Sequence, residues 1–253
     1  MIESKKKKLP LNISIDKFVS KMIFPDEDNK LEEECRNYLR LKGVAYLTQL
    51  ANFIELNDNG KIEYLKVSKL YRYDKRIRNI LYKFLSAFEE SIRAFIANKF
   101  LDNVSEFKSE SQKNGKKIGK KLMGKLSECK SLSFSLGSLS LSELMELFNI
   151  FTADEQVLLF ENLDHIDENL SAVRELRNAV SHHRMLFVYD EFSECWIDGI
   201  QKEGNLINSI KNLRELIDPF YKDYLTSAIN DSCEDKQDKL FGEYLVKKAI
   251  IKL

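Results

Sequence analysis

The chain is poor in the residues that interrupt or cross-link a fold. Nine glycines and three prolines among 253 residues leave few breaks, which favours long regular segments and excludes a collagen-like or Pro/Gly-rich disordered chain. Cysteine is scarce as well. Cys35, Cys129, Cys195 and Cys233 stand far apart with no C-x-x-C pair, so the usual zinc and dithiol spacings are missing and reduced thiols in the cytoplasm are the simplest expectation. Long apolar runs are absent too. The longest stretches without a charge, Val44 to Ile54 and Ser131 to Ser142, fall short of the roughly 20 apolar residues that span a bilayer. After Met1 and the lysines Lys5 to Lys8, the next residues carry charges and a proline in place of the apolar stretch of a secretory leader. A soluble cytoplasmic protein with no membrane partner is expected.

What the chain does have is 43% hydrophobic and 32% charged residues, the balance of a folded helical protein rather than a disordered one. Forty basic and forty acidic side chains cancel, yet they are not evenly spread. Lys113, Lys116, Lys117, Lys120, Lys121 and Lys125 share one stretch with no acidic residue between Glu110 and Glu128. From Ser131 to Val173 the balance reverses, with eight carboxylates and no lysine or arginine. One surface should attract phosphate and another repel it. The lysine block reads most simply as a solvated connection between helices, and as a non-specific contact to an RNA backbone if it binds anything.

Periodicity points to an all-α fold. Ile77, Ile80, Leu81, Phe84, Leu85, Phe88, Ile92, Phe95 and Ile96 recur at the spacing of one buried helical stripe, which predicts a central helix from about Tyr73 to Leu101. Within it Glu89 and Arg93 are four apart in the favourable order, by default a surface pair. Helices are also expected over Ile15 to Ile23, Leu31 to Ile54 and Leu170 to Val180. Ser140 with Glu143 fits a capping box opening a helix whose Leu144, Leu147, Phe148 and Phe151 face inward. Leu206, Ile210, Leu213, Ile217, Phe220 and Tyr224 form a further stripe, divided at Asp218-Pro219 into two helices. Asn57-Asp58-Asn59-Gly60 reads as a tight turn with room for one short β-hairpin. Residues 231–253 read as a linker followed by a short docking helix.

The chemistry concentrates in Arg177-Asn178-Ala179-Val180-Ser181-His182-His183, which holds two of the chain's three histidines. RNA can be cut without a metal when its own 2′-hydroxyl attacks the adjacent phosphorus. That reaction needs a group to move protons and a cation for the crowded anionic phosphorane. Imidazole, with an ordinary pKa of about 6.5, can do the first; arginine, always charged and planar, suits the second. Arg177 and His182 are therefore the candidate catalytic pair, Asn178 an orienting or phosphate-contacting residue, and His183 a supporting group beside them. His165 reads as a surface residue. Five residues at about 100° each place His182 roughly 140° from Arg177 on an ideal helix. Either the helix ends near Ser181, or the arginine reaches round, or two chains build the site; a two-chain groove also supplies a second proton-transfer group. The competing reading is a helix C-terminus where Arg and His offset the dipole.

No H-E-x-x-H or paired-cysteine spacing suggests a metal site. Gly119 to Leu126 mimics a phosphate loop, but Leu126 stands where Ser or Thr would bind magnesium. No cofactor is expected.

Arg177-Asn178 with His182-His183 resembles the R-N-x-x-x-H-H motif of abortive-infection proteins of the AbiD/AbiF type, within the HEPN (higher eukaryotes and prokaryotes nucleotide-binding) superfamily. Three other segments are similar to that family. Leu70 to Arg78 resembles its aspartate-arginine helix start, Glu89 to Arg93 its E-x-x-x-R step, and Phe134 to Ser140 its F-G-x-L-S loop. The resemblance covers roughly residues 10–190 and departs at Arg184-Met185-Leu186-Phe187, where the family has R-L-W-N. It implies a HEPN-like helical bundle over residues 13–190, with a basic tail at 1–12 and a helical extension at 191–253. It further implies a homodimer, metal-independent RNA cleavage, a role in phage defence or toxin-like growth arrest, and an antitoxin RNA or protein as partner. A non-catalytic RNA-binding module is the alternative.

Overall fold

The computed structural model describes residues 8–25, 29–54, 60–113, 119–127, 131–232 and 251–253. They are mostly helical, with two small two-stranded sheets. The chain divides into two compact units that alternate along the sequence. The first takes Met1–Asn79, His183–Tyr189 and Ala228–Lys252; the second takes Ile80–His182, Asp190–Ser227 and Leu253. Among the described residues no helix is long and apolar enough to cross a membrane.

The first unit contains α1 (Ile15–Val19), β1 (Met22–Ile23), α2 (Lys30–Lys42), α3 (Val44–Phe53), β2 (Ile62–Glu63) and the opening turns of α4 (Tyr64–Lys99). Two expected helices are shorter than their hydrophobic pattern suggests. The segment from Ile15 stops at Val19, and Met22-Ile23 becomes a strand. The segment from Leu31 to Ile54 splits at Gly43, whose φ of 84° and ψ of 145° lie where a Cβ is poorly tolerated. Asn57 to Asn59 lie outside the described residues. Ile62 just beyond them pairs in parallel with Met22, so this strand is not one arm of a hairpin. Phe18, Leu39, Leu50, Ile62 and Val67 are buried in one core with Met185. Asp74 is completely buried; its Oδ2 lies 2.8 Å from Arg78 Nε and its Oδ1 accepts the Leu186 N–H at 2.6 Å. Burial raises the Asp74 pKa, and the Arg78 guanidinium opposes that rise. Of the docking helix expected near the C-terminus, residues 233–250 lie outside the described residues. Ile251 is buried, and its N–H donates to the Tyr73 hydroxyl at 3.1 Å.

The second unit contains the rest of α4, then α5 (Val104–Lys113), α6 (Lys120–Ser127), α7 (Leu132–Gly137), α8 (Leu141–Phe148), α9 (Ala153–Gln156), α10 (Ile166–Ser181), β3 (Cys195–Ile197), β4 (Ile200–Lys202), α11 (Leu206–Leu216) and most of α12 (Pro219–Asn230). The stripe on α4 faces inward here: Leu81, Leu85, Phe88, Ile92 and Ile96 are buried. The helix starts nine residues earlier than its strongest periodicity, at Tyr64, and runs for 36 residues. The capping box forms as expected, with the Ser140 Oγ accepting the Glu143 N–H and the Glu143 carboxylate accepting the Ser140 N–H. Leu144, Leu147, Phe148 and Phe151 are buried.

The hairpin of this fold lies at β3 and β4, paired antiparallel with Cys195 opposite Lys202. Asp198 and Gly199 turn it with φ of 52° and 70°, two consecutive positive values that suit a primed turn. The Asp-Gly pair was the signal for it in the sequence. The two C-terminal helices separate where Asp218-Pro219 predicts, and Asp218 Oδ1 accepts the Phe220 N–H at 2.8 Å. Their apolar stripe does not continue across the break. Ile217 is extended, with ψ of 156°, which resets the helical phase and leaves Phe220 and Tyr224 exposed.

Candidate functional site

Helix α10 carries Arg177 and Asn178 and stops at Ser181. His182 is the C-cap residue; its N–H donates to the Asn178 carbonyl at 2.9 Å, and its φ of −87° and ψ of 12° leave the helical region. His183 then adopts a φ of 54°, the left-handed conformation that usually falls to glycine just past a helix end. Both histidine side chains are exposed. Asn178 is half-buried, and the group that reaches His182 is its backbone carbonyl rather than its amide.

Arg177 is held from α4. Its Nε donates to Glu89 Oε1 at 2.9 Å, while Glu89 Oε2 accepts from Arg93 Nη2 at 2.9 Å. Arg93 in turn donates through Nε to the Leu136 carbonyl at 3.2 Å and through Nη2 to the Leu139 carbonyl at 3.4 Å. Leu136 lies in the last turn of α7, and Leu139 follows just past its end. The chain of contacts therefore runs from the end of α7 through Arg93 and Glu89 to Arg177. Side-chain exposures of 12% for Glu89, 24% for Arg93 and 31% for Arg177 place the shared carboxylate deepest and the arginine of the motif nearest to solvent. Glu89 and Arg93 form more than the surface pair their spacing suggests. What sequence reasoning missed is that this carboxylate has two cationic partners, because Arg177 lies 88 positions away.

The structure brings Arg177 to Glu89. Among the described residues no hydrogen bond joins Arg177 to His182. The Arg177 pairing uses Nε, which leaves the Nη donors for an incoming oxygen. A carboxylate behind a guanidinium fixes its orientation while the guanidinium keeps its charge at any accessible pH.

The lysine block divides. Lys116 and Lys117 lie outside the described residues, as do the side chains of Lys113 and Lys120. Lys121 is exposed. Lys125 is committed to Glu143, Nζ to Oε1 at 2.6 Å. That contact and the Ser140 N–H pull the Glu143 carboxyl down to about 2. Among the described residues no group of three or more His, Cys, Asp or Glu side chains gathers as a metal site. His165 is partly exposed but not isolated: its ring stacks on Trp196 with centroids 3.6 Å apart and planes 4° from parallel.

Comparison of the chain with protein-family models, with curated proteins and with solved structures gives no match.

Proposed function

We propose that this chain is a metal-independent endoribonuclease of HEPN type, acting in phage defence by abortive infection or as a toxin-like growth-arrest factor. The observation that carries the reading is Arg177, fixed through Nε by Glu89 at 2.9 Å, five residues before an exposed imidazole at the end of the same helix. In this reading the 2′-oxygen of a bound RNA attacks its own phosphorus and loses its proton to an imidazole. The Arg177 Nη donors meet the charge that grows on the non-bridging oxygens. The bond to the 5′-oxygen breaks as that oxygen takes up a proton, leaving a 2′,3′-cyclic phosphate and a 5′-hydroxyl. Two proton transfers call for two groups, and one His182 per chain supplies one of them, so the working site draws on a second copy of this chain. The cytoplasm and an RNA or protein antitoxin belong to the same proposal.

The test is cleavage of single-stranded RNA by the purified protein in excess EDTA. The parent should produce cyclic-phosphate ends, DNA should resist because it lacks the 2′-hydroxyl, and His182→Ala should slow cleavage by about 100-fold or more. A strict metal requirement, or equal rates for parent and variant, would overturn it. RNA binding that survives with equal absence of cleavage in both proteins would favour the non-catalytic binding module, in which Arg177 only holds phosphate.

A further inference from the structure

Helix α4 turns one stripe outward in the second unit. Tyr82, Ser86, Glu89 and Arg93 follow one another at spacings of four, three and four, so at about 100° per residue Tyr82 falls within about 20° of both Glu89 and Arg93 round the helix. The two charged members are the ones tied to Arg177 and to α7. Tyr82 is 60% exposed, and Ser86, half-buried between it and Glu89, adds only a short hydroxymethyl group beside the ring.

The direction of α10 brings His182 to the same end. Near the start of α10, Asp167 accepts from Asn149 Nδ2 at 3.4 Å, next to Phe148, whose ring meets that of Phe95. Further on, Arg177 meets Glu89, which precedes Phe95 on α4. Helix α10 therefore runs against the direction of α4. Beyond that contact His182 lies about 7.5 Å further along α10, and Tyr82 about 10 Å further along α4, at 1.5 Å per residue. The exposed imidazole and the exposed phenol ring thus stand at one end of the Arg177–Glu89 contact.

Charge keeps a phosphate chain on this side of α4. From Tyr64 to Phe88 the helix carries seven lysines and arginines against one carboxylate, Asp74, and Lys83 beside Tyr82 is exposed. A cleft of about 360 Å³ beside Trp196 is lined instead by Glu161, Asp164, Asp198, Glu215 and Asp218, and such a field repels phosphate. Ser91, on the wall of that cleft, lies about 200° round α4 from Glu89, so the repelling surface is on the other side of the helix.

Taking Arg177 and His182 as the cleavage pair, we propose that Tyr82 is the base-binding platform of that site. Cations along the backbone and aromatic faces under the bases are how proteins hold single-stranded nucleic acid, and here a fixed guanidinium and an exposed ring share one face of α4. The base next to the scissile phosphate lies flat on the Tyr82 ring. Stacking holds any base by its face rather than by its edge, so the platform tolerates sequence. It also restricts the substrate to single strands, because a base inside a duplex is not free to lie against the ring.

The probe is a fluorescein-labelled 2′-O-methyl RNA of mixed sequence, about twelve nucleotides long, which keeps bases and phosphates but has no free 2′-hydroxyl to attack. Polarisation titrations of the full-length protein compare it with the same strand without its bases and with its duplex. The parent should bind the intact strand at least about 10-fold more tightly than the baseless one, a comparison that needs no variant. Tyr82→Ala should remove that preference, and Tyr82→Phe and Tyr82→Trp should keep it, since each retains an aromatic face. Parent and Tyr82→Ala should bind the baseless strand and the duplex alike. Equal binding of the intact strand by parent and Tyr82→Ala, an equal loss on the baseless strand, or a loss with Tyr82→Phe as large as with alanine would overturn the platform. So would sedimentation in which Tyr82→Ala separates copies that the parent holds together, because the ring would then belong to an interface between chains. Cleavage in EDTA is read apart from these titrations. A parent that cuts RNA while Tyr82→Ala binds and cuts like it loses the platform alone; base-dependent binding through Tyr82 without cleavage loses the ribonuclease reading alone; a parent that binds no strand loses both.

Discussion

Arg177 is useful to a phosphate only if it is held in place with its Nη donors left over, and Glu89 meets that condition by engaging Nε. Replacing Glu89 with glutamine keeps an oxygen acceptor but removes the charge that orients two arginines. Glu89→Gln should lower kcat for RNA cleavage by about 10-fold with a smaller change in KM, because a misaligned guanidinium loses transition-state contact before it loses binding. Single-turnover kinetics separate the two effects, and a parent-like kcat would show that Glu89 is only a structural partner. Glu89→Asp, which keeps the charge, should recover part of the loss. His183 makes a different case. Its φ of 54° costs an L-residue roughly 1–2 kcal/mol that glycine avoids. His183→Gly is therefore expected to stabilise the protein by about 1 kcal/mol in urea denaturation while leaving cleavage at the level of the parent. A large loss of cleavage would give the His183 imidazole a direct role.

Among the elements, the helix ends decide most. Helix α10 runs from Ile166 to Ser181 and places its first turn at the cleft and its last at His182, so one rigid rod positions both surfaces. The split between α2 and α3 rests on Gly43, whose backbone angles are open to glycine and strained for other residues. Space is no obstacle there, since nothing lies within 4 Å of an added Cβ. The cost of Gly43→Ala is thus purely conformational, about 1–3 kcal/mol, and should be read as a lowered urea midpoint with an unchanged slope. The capping box at Ser140 was legible because it is local, a hydroxyl and a glutamate three residues apart. The β1–β2 pairing was not. It joins residues 40 positions apart in parallel, and two-residue strands carry no periodicity to read.

For the whole molecule, the proposed mechanism requires two copies. If both His182 imidazoles serve one shared site, a mixed dimer of parent and His182→Ala chains lacks one of the two proton-transfer groups. Equal amounts, allowed to exchange, should leave about a quarter of the parent rate, since about a quarter of the dimers carry two parent chains. About half the parent rate, with mixed dimers demonstrated by a tagged copy, would place a complete site in each chain. The carboxylate-rich stretch visible from Ser131 to Val173 supplies two of the carboxylates in the cleft beside Trp196, Glu161 and Asp164, and tertiary folding adds Asp198, Glu215 and Asp218 from beyond it.

By itself the sequence determined what depends on neighbours within a few residues: the mostly helical fold, the buried stripe of α4, the cap at Ser140, the break at Asp218-Pro219 and the concentration of reactive side chains from Arg177 to His183. Only the tertiary structure decided what those side chains meet. A carboxylate accepts from any donor within reach, and whether Glu89 bridges Arg93 and Arg177 depends on how α4 packs beside α10, which no spacing along the chain encodes. The cleft beside Trp196 arises in the same way, from four separate stretches of chain whose like charges are brought together by the burial of apolar surface elsewhere in their unit.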